Sequence, residues 1–432
     1  MNFYNLKHKE EQLNFKEATI KGQGKDKGLF FPEDISKFSN EFLKNLPNLS
    51  NEEIAFQVMK DFVGDEIPEA ELRKIVAETI AFEIPLKKVT ENISVLELFH
   101  GPTLAFKDVG ARFMSRCLGY FLKNETRKVT VLVATSGDTG GAVANGFYDV
   151  EGIEVVILYP KNRVSPVQEK QLTALGKNIH ALEVNGSFDD CQALVKQAFS
   201  DESLNEKLLL TSANSINVAR WLPQQIYYVL ALKQWLKINS ENPVICVPSG
   251  NFGNICAGIL AHHRGLPVEH FIAACNVNDV VPEYLRTEIL KPKETVATIS
   301  NAMDVGDPSN FVRILELFDK EFNQVKNKLS GYTIDDEETL KTIERVEKDY
   351  GYVLDPHGAV AFVALEKYLA ENGGKGFFLE TAHPVKFPDS VEQATGKSVE
   401  IPKSLEELMK QEKFTTEINP QYEELKEFLL KK

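Results

Sequence analysis

Twice along this chain a short run of consecutive apolar residues feeds straight into a glycine-rich loop that opens a helical pattern. Val129-Thr-Val-Leu-Val-Ala-Thr135 leads into Ser136-Gly-Asp-Thr-Gly-Gly141 and then Ala142-Val-Ala-Asn-Gly-Phe147. Pro243-Val-Ile-Cys-Val-Pro248 leads into Ser249-Gly-Asn-Phe-Gly-Asn254 and then a helical pattern from Ile255 to His263. An apolar run without alternation is a strand buried on both faces. Strands that alternate with helices build a parallel sheet covered on both sides. Glu154–Tyr159, His180–Val184, His270–Cys275 and Gly376–Glu380 read as further strands of the same kind. Ser165-Pro166 starts a helix, with an N-cap hydroxyl and a proline in the first turn. The expected class is therefore α/β, with doubly wound parallel sheets.

The first 90 residues follow a different pattern. Leu46 to Phe62 and Pro68 to Ile80 carry apolar residues at helical spacing, so this stretch reads as a mainly helical unit. The pattern turns strand-like after Pro85. Val218 to Leu236 reads as one long helix with Pro223 in its first turn, and Asp355-Pro356 caps another. The expected divisions are 1–90, 91–240 and 241–432, the last ending in amphipathic helices.

Composition narrows the function class. Asp and Glu outnumber Lys and Arg by 63 to 49, a net charge of -14, whereas a nucleic-acid binder needs a basic footprint. No apolar run approaches the roughly 20 residues of a membrane span. The start, Met1-Asn-Phe-Tyr-Asn-Leu-Lys-His-Lys-Glu10, has no signal-peptide core. Cys117, Cys191, Cys246, Cys256 and Cys275 are scattered, with neither CxxC nor zinc-ligand spacing. These features point to a cytoplasmic protein with reduced thiols, no metal, no nucleic acid and no membrane. The expected assembly is a monomer or weak homo-oligomer working on a small molecule.

Glu97-Leu-Phe-His-Gly-Pro-Thr-Leu-Ala-Phe-Lys107-Asp sets one lysine in apolar, glycine-punctuated surroundings. Desolvation lowers a lysine's pKa and frees the amine for imine chemistry. The plain alternative is a surface lysine paired with an acid. Each glycine loop alone could be a tight strand-to-helix turn, but a helix N-terminus also binds anions. Neither loop has the dinucleotide G-x-G-x-x-G spacing or the Lys-Ser/Thr ending of a P-loop. Asn214-Ser-Ile-Asn-Val-Ala-Arg220 reads first as a helix cap through Asn217, and second as an anion clamp through Arg220. His100 and His383 fit structural and catalytic roles equally.

Taken in order, the lysine segment, Ala134-Thr-Ser-Gly-Asp-Thr-Gly140, Ser212-Ala-Asn-Ser-Ile-Asn217, Val247-Pro-Ser-Gly-Asn-Phe-Gly253 and Thr381-Ala-His-Pro384 resemble threonine synthases. The resemblance is to the branch with a separate N-terminal domain, and it runs from Tyr4-Asn-Leu to the C-terminal third. It implies the fold-type II pyridoxal-phosphate architecture and a lyase that turns O-phospho-L-homoserine and water into L-threonine and phosphate. It matches Lys107 to the lysine that forms a Schiff base with pyridoxal 5'-phosphate, flanked by Phe106. Gly250, Asn251, Phe252, Gly253 and Asn254 match the loop for the cofactor phosphate. Thr381 matches the residue facing the pyridine nitrogen, and Asp138 lies beside the ring. Ser136, Gly137 and Thr139 match the substrate-carboxylate loop, and Asn214 and Arg220 a clamp for the substrate phosphate. One departure is visible, Asn254 where the family more often has Asp. Three other readings compete. They are a related lyase such as threonine dehydratase, a non-catalytic phosphate-ligand sensor and a nicotinamide oxidoreductase.

Overall fold

The computed structural model describes residues 1–123 and 128–431. In the N-terminal unit β1 (Asn2–Asn5) pairs antiparallel with β2 (Gln12–Asn14) on one side and β3 (Phe30–Pro32) on the other. Strands of three and four residues are too short to show a period, so the sequence pattern carried no sign of this sheet. The helices around it obey the pattern. Ser50 accepts the Glu53 N–H at the start of Asn51–Val63. Ile54, Ala55, Val58, Met59 and Phe62 form its buried stripe.

The remaining strands are β4 (Leu86–Lys88), β5 (Ile93–Glu97), β6 (Val129–Ala134), β7 (Ile153–Pro160), β8 (Ile179–Val184), β9 (Leu209–Thr211), β10 (Val244–Pro248), β11 (His270–Cys275), β12 (Leu329–Thr333), β13 (Gly376–Glu380) and β14 (Thr415–Ile418). They form two sheets. One has the order β12-β11-β10-β13-β5-β4 and is parallel except for β4. The other has the order β14-β8-β7-β6-β9 and is parallel throughout. Every residue of β5, β6, β10, β11 and β13 is buried, as expected of strands covered on both faces.

Sheet membership crosses the expected divisions of the chain. β5 joins the β10 sheet by pairing with β13, Val95 against Phe378. β14 joins the other sheet beside β8, Thr416 against Leu182. The long helix expected from Val218 to Leu236 is broken. Val218–Trp221 and Gln225–Trp235 are joined by a tighter turn at Leu222–Gln224, where Pro223 has no N–H to give.

A fully buried arginine ties the N-terminal unit to the sheets. Arg313 donates from Nη2 to Phe30 O at 2.9 Å and to Ile216 O at 2.7 Å. Its Nη1 reaches Ser215 O at 3.1 Å and Asn310 Oδ1 at 2.7 Å. The guanidinium lies 4.3 Å from the centre of the Trp221 ring, so its charge is met by carbonyl dipoles and a π face.

Candidate active site

In doubly wound sheets ligands collect at the carboxyl ends of the strands. Here the loop after β5 and the loop after β13 are stitched together at those ends. Phe106 N donates to Thr381 O at 2.9 Å, and Ala105 bridges Ala382. This fixes Lys107 as the first residue of the helix Lys107–Leu122, one step from the segment that holds Thr381. Thr381 is buried. Asp108, the next residue, is fully spent on this turn. It accepts from Thr103 N at 2.9 Å and Thr103 Oγ1 at 2.6 Å.

The Lys107 side chain is 18% exposed, and its Nζ lies 3.9 Å from Asp138 Oδ2. Burial pushes its pKa down, with Lys386 and Arg220 acting in the same direction and Asp138 and Asp355 opposing. The Asp138 carboxylate is held elsewhere. Lys386 Nζ lies 2.8 Å from its Oδ1, and Gln168 Nε2 donates to the same oxygen at 2.9 Å. Burial would raise the Asp138 pKa, but the Lys386 and Lys107 ammonium groups and the Gln168 bond hold it well below the usual carboxylate range.

The loop after β6 is shaped from within. Thr135 Oγ1 accepts both Gly137 N and Gly140 N at 2.9 Å. Gly137 sits at φ 139°, where a side chain would be strained, and a Cβ there would displace the Gln168 amide from 2.5 Å. Ser136 and Thr139 are half-buried on this loop, and Asp138 begins the helix Asp138–Phe147.

The loop after β10 is shaped from outside. Asn251 Nδ2 donates to Ser215 Oγ at 3.2 Å, while its Oδ1 accepts Ser309 N at 2.9 Å and Ser309 Oγ at 2.6 Å. Asn310 Nδ2 also reaches Ser215 Oγ, at 3.1 Å. Phe252 takes the left-handed conformation, φ 61°, just before the helix Gly253–His263. Gly250 lies against backbone, because a Cβ there would stand 2.6 Å from Met303 Cα. Asn254 Oδ1 accepts the hydroxyls of Tyr227 at 2.5 Å and Tyr228 at 2.8 Å. Its Oδ1 thus faces the neighbouring helix, while its buried Nδ2 has no partner among the described residues and remains, with the backbone amide, a donor to offer.

Arg220 is the chemically informative member of the third segment. It is 4% exposed, and neither Nε nor Nη1 has a partner among the described residues. Burial brings its pKa down to about 10, so the guanidinium stays charged near neutral pH. Buried charged donors without partners mark the place of a missing anion. Its Nε would lie 3.4 Å from a Cβ at Gly110, which sets it against the helix that Lys107 begins. Asn217 caps its own helix, accepting Ala219 N at 3.0 Å and donating to Thr19 O at 2.9 Å. Asn214 is half-buried at the start of this turn.

A family model described as "Pyridoxal-phosphate dependent enzyme" matches residues 80–377. "Threonine synthase N terminus" matches residues 2–80, and "Threonine synthase, C-terminal" matches 358–429. The chain is 46% identical to the threonine synthase of Haemophilus influenzae over 431 residues, covering 100% of both chains. The chain belongs to the threonine synthase family. Among solved structures, the threonine synthase of Escherichia coli superposes with a TM-score of 0.92 at 45% identity, covering 100% of both chains. A PLP-bound threonine synthase from Brucella melitensis gives 0.93 at 35% identity, covering 99% of this chain and 98% of the other. The likeness extends over the terminal parts that the family's own models describe, which decides for threonine synthase over a dehydratase.

The residues fit the family's cofactor. A buried lysine whose pKa is pushed down is an amine that could hold its aldehyde. A glycine loop packed against backbone supplies first-turn amides for a phosphate. Four polar neighbours escaped the sequence reading: Thr103, Gln168, Ser215 and Lys386. Lys386 carried the same signal that singled out Lys107, a lysine between apolar residues in Pro384-Val-Lys-Phe-Pro388.

Proposed function

We propose that this chain converts O-phospho-L-homoserine and water into L-threonine and phosphate, with Lys107 as the amine that carries pyridoxal phosphate and then moves the protons. When bound, the cofactor supplies an aldehyde for the substrate amine and a ring that draws electrons from Cα, which permits loss of phosphate from Cγ and addition of water at Cβ.

The rest falls to the chain itself. Lys107, released and uncharged, takes the proton from the substrate Cα and later moves protons at Cβ. First-turn amides of Gly250–Asn254 hold the cofactor phosphate. Thr381 offers a neutral hydroxyl to the pyridine nitrogen. Phe106 lines the cofactor, and Asp138 lies beside the ring. Amides and hydroxyls of Ser136, Gly137 and Thr139 receive the substrate carboxylate. Asn214 and Arg220 take the substrate phosphate. Thr135, Gln168 and Asn251 keep these groups in place without touching the reacting atoms.

One observation carries this reading: a buried guanidinium with two unused donors packs against the helix begun by Lys107, whose pKa burial pushes down. The substrate of a dehydratase carries no phosphate for such a group to hold. The net charge of -14 supports work without nucleic acid, and five buried free thiols support a reducing compartment such as the cytoplasm. No helix among the described residues is long and apolar enough to cross a membrane. We infer a monomer or weak homo-oligomer.

The test is to incubate the holoenzyme with O-phospho-L-homoserine and measure threonine and inorganic phosphate together. Equal yields are expected. Phosphate without threonine, or turnover of threonine in preference to phosphohomoserine, refutes the reading.

A further inference from the structure

Two lysines approach the Asp138 carboxylate, and they are not equivalent. Lys386 is fully buried, lies 2.8 Å from Oδ1 and donates also to Thr103 O at 2.8 Å. Lys107 stands off at 3.9 Å from Oδ2, too far for a hydrogen bond. Gln168 adds a further bond to Oδ1 at 2.9 Å. Asp138 is therefore paired tightly with one lysine and only loosely with the other.

Taking Lys107 as the amine that bonds the cofactor, we propose that Lys386 is a positioning residue, a permanent counter-ion that occupies Asp138 so that the Lys107 amine sheds its proton. An amine can attack an aldehyde, or accept a proton from carbon, only when uncharged. A lone Asp138 would form an ion pair with Lys107 and keep it charged. With Lys386 in place, the Lys386–Asp138 pair is close to neutral overall, and burial tips Lys107 toward the free amine.

The groups facing Lys107 support this balance from every side. Asp138 comes from the helix Asp138–Phe147, Lys386 from the turn Pro384–Lys386, Arg220 from Val218–Trp221, and Asp355 from the cap of Pro356–Asn372. Asp108, on the same helix as Lys107, is bound to Thr103 and is reached by the fields of Lys386 and Arg112. His383 also feels Lys386, and its burial pushes it down to about 4, so it adds no charge near neutral pH. Lys386 and Arg220 therefore act against Asp138 and Asp355, and Lys386 is fixed to Asp138 itself.

The test is independent of turnover. The cofactor-free full-length chain is pulse-acetylated across a pH series, and the Lys107 peptide is quantified by mass spectrometry. Lys386→Met should raise the midpoint of Lys107 acetylation by at least about one pH unit, and slow cofactor capture at pH 8 roughly tenfold. Lys386→Arg should stay near the wild-type midpoint. Asp138→Asn should lower it, and the double variant Lys386→Met, Asp138→Asn should reverse the rise seen in Lys386→Met. A purely structural Lys386 would show no such reversal. An unchanged midpoint in Lys386→Met, or a double variant no different from it, overturns the proposal. If Lys386→Met does not fold, the Asp138→Asn midpoint decides, and a rise or no change refutes the idea. Failure of the cofactor to attach to Lys107 would defeat the functional reading while leaving these midpoints measurable.

Discussion

The two glycine loops share a sequence signature, yet they are held in opposite ways. The loop after β6 is built around one hydroxyl of its own strand, since Thr135 Oγ1 takes the amides of both Gly137 and Gly140. The loop after β10 is held by distant segments: Ser215 and Ser309 bond the Asn251 side chain, Asn310 N donates to Asn251 O, and two tyrosines hold Asn254. The backbone of the first is set locally, with Gln168 and Lys386 reaching in only to hold Asp138. The second is only as good as the packing of three remote parts of the chain. A self-supporting loop suits a ligand that comes and goes each cycle. A loop clamped by the whole fold suits a resident group.

Lys107 stands 3.9 Å from Asp138 at the loop after β6 and is the proposed attachment point of the cofactor, so its removal should damage both functions. Lys107→Ala should lower threonine formation by roughly three orders of magnitude or more, with loss of the cofactor's covalent attachment on hydride trapping. Near-normal activity would end the assignment. Arg220→Ala should separate substrate from cofactor, cutting kcat/KM for phosphohomoserine about a hundredfold, as loss of a buried charged contact implies, with cofactor absorbance unchanged. Gly250→Ala should strike the clamped loop. Its methyl would meet immovable backbone at Met303, and overpacking of about 1–3 kcal/mol should weaken cofactor retention tenfold or more in dialysis. Thr135→Val should have the smallest effect. Two buried amides lose their acceptor, for about 1–3 kcal/mol of stability by denaturant titration, with a several-fold rise in KM and cofactor retained. If Thr135→Val releases cofactor, or Gly250→Ala alters only KM, the division of labour between the loops is wrong.

The same contrast explains what could be read in advance. β6, β10 and their loops were legible because each is a continuous stretch whose pattern and glycines sit together. Asn217 was legible as a helix cap, but its second bond to Thr19 and the bonds of Asn251 to Ser215 and Ser309 were not, since those partners lie far away in sequence. The membership of β5 and β14 was invisible for the same reason, because each is placed by a partner strand far along the chain. Pro223 was read as an early helix residue, yet it sits after one turn and forces a break. Lys386 was within reach, but a lysine gains meaning from the acid it meets, and Asp138 lies in the other sheet's loop.

The placement of β14 has a consequence for how the molecule comes into being on the ribosome. Thr415–Ile418 forms an edge of the sheet that presents the loop after β6, and it leaves the exit tunnel long after that loop has been made. β13, which flanks β5 and anchors the turn before Lys107, is also synthesised late. Contacts so remote in sequence close slowly. Lys107 therefore emerges well before the strands and Lys386 that complete its surroundings, so a chain cut before β13 would carry the lysine without them.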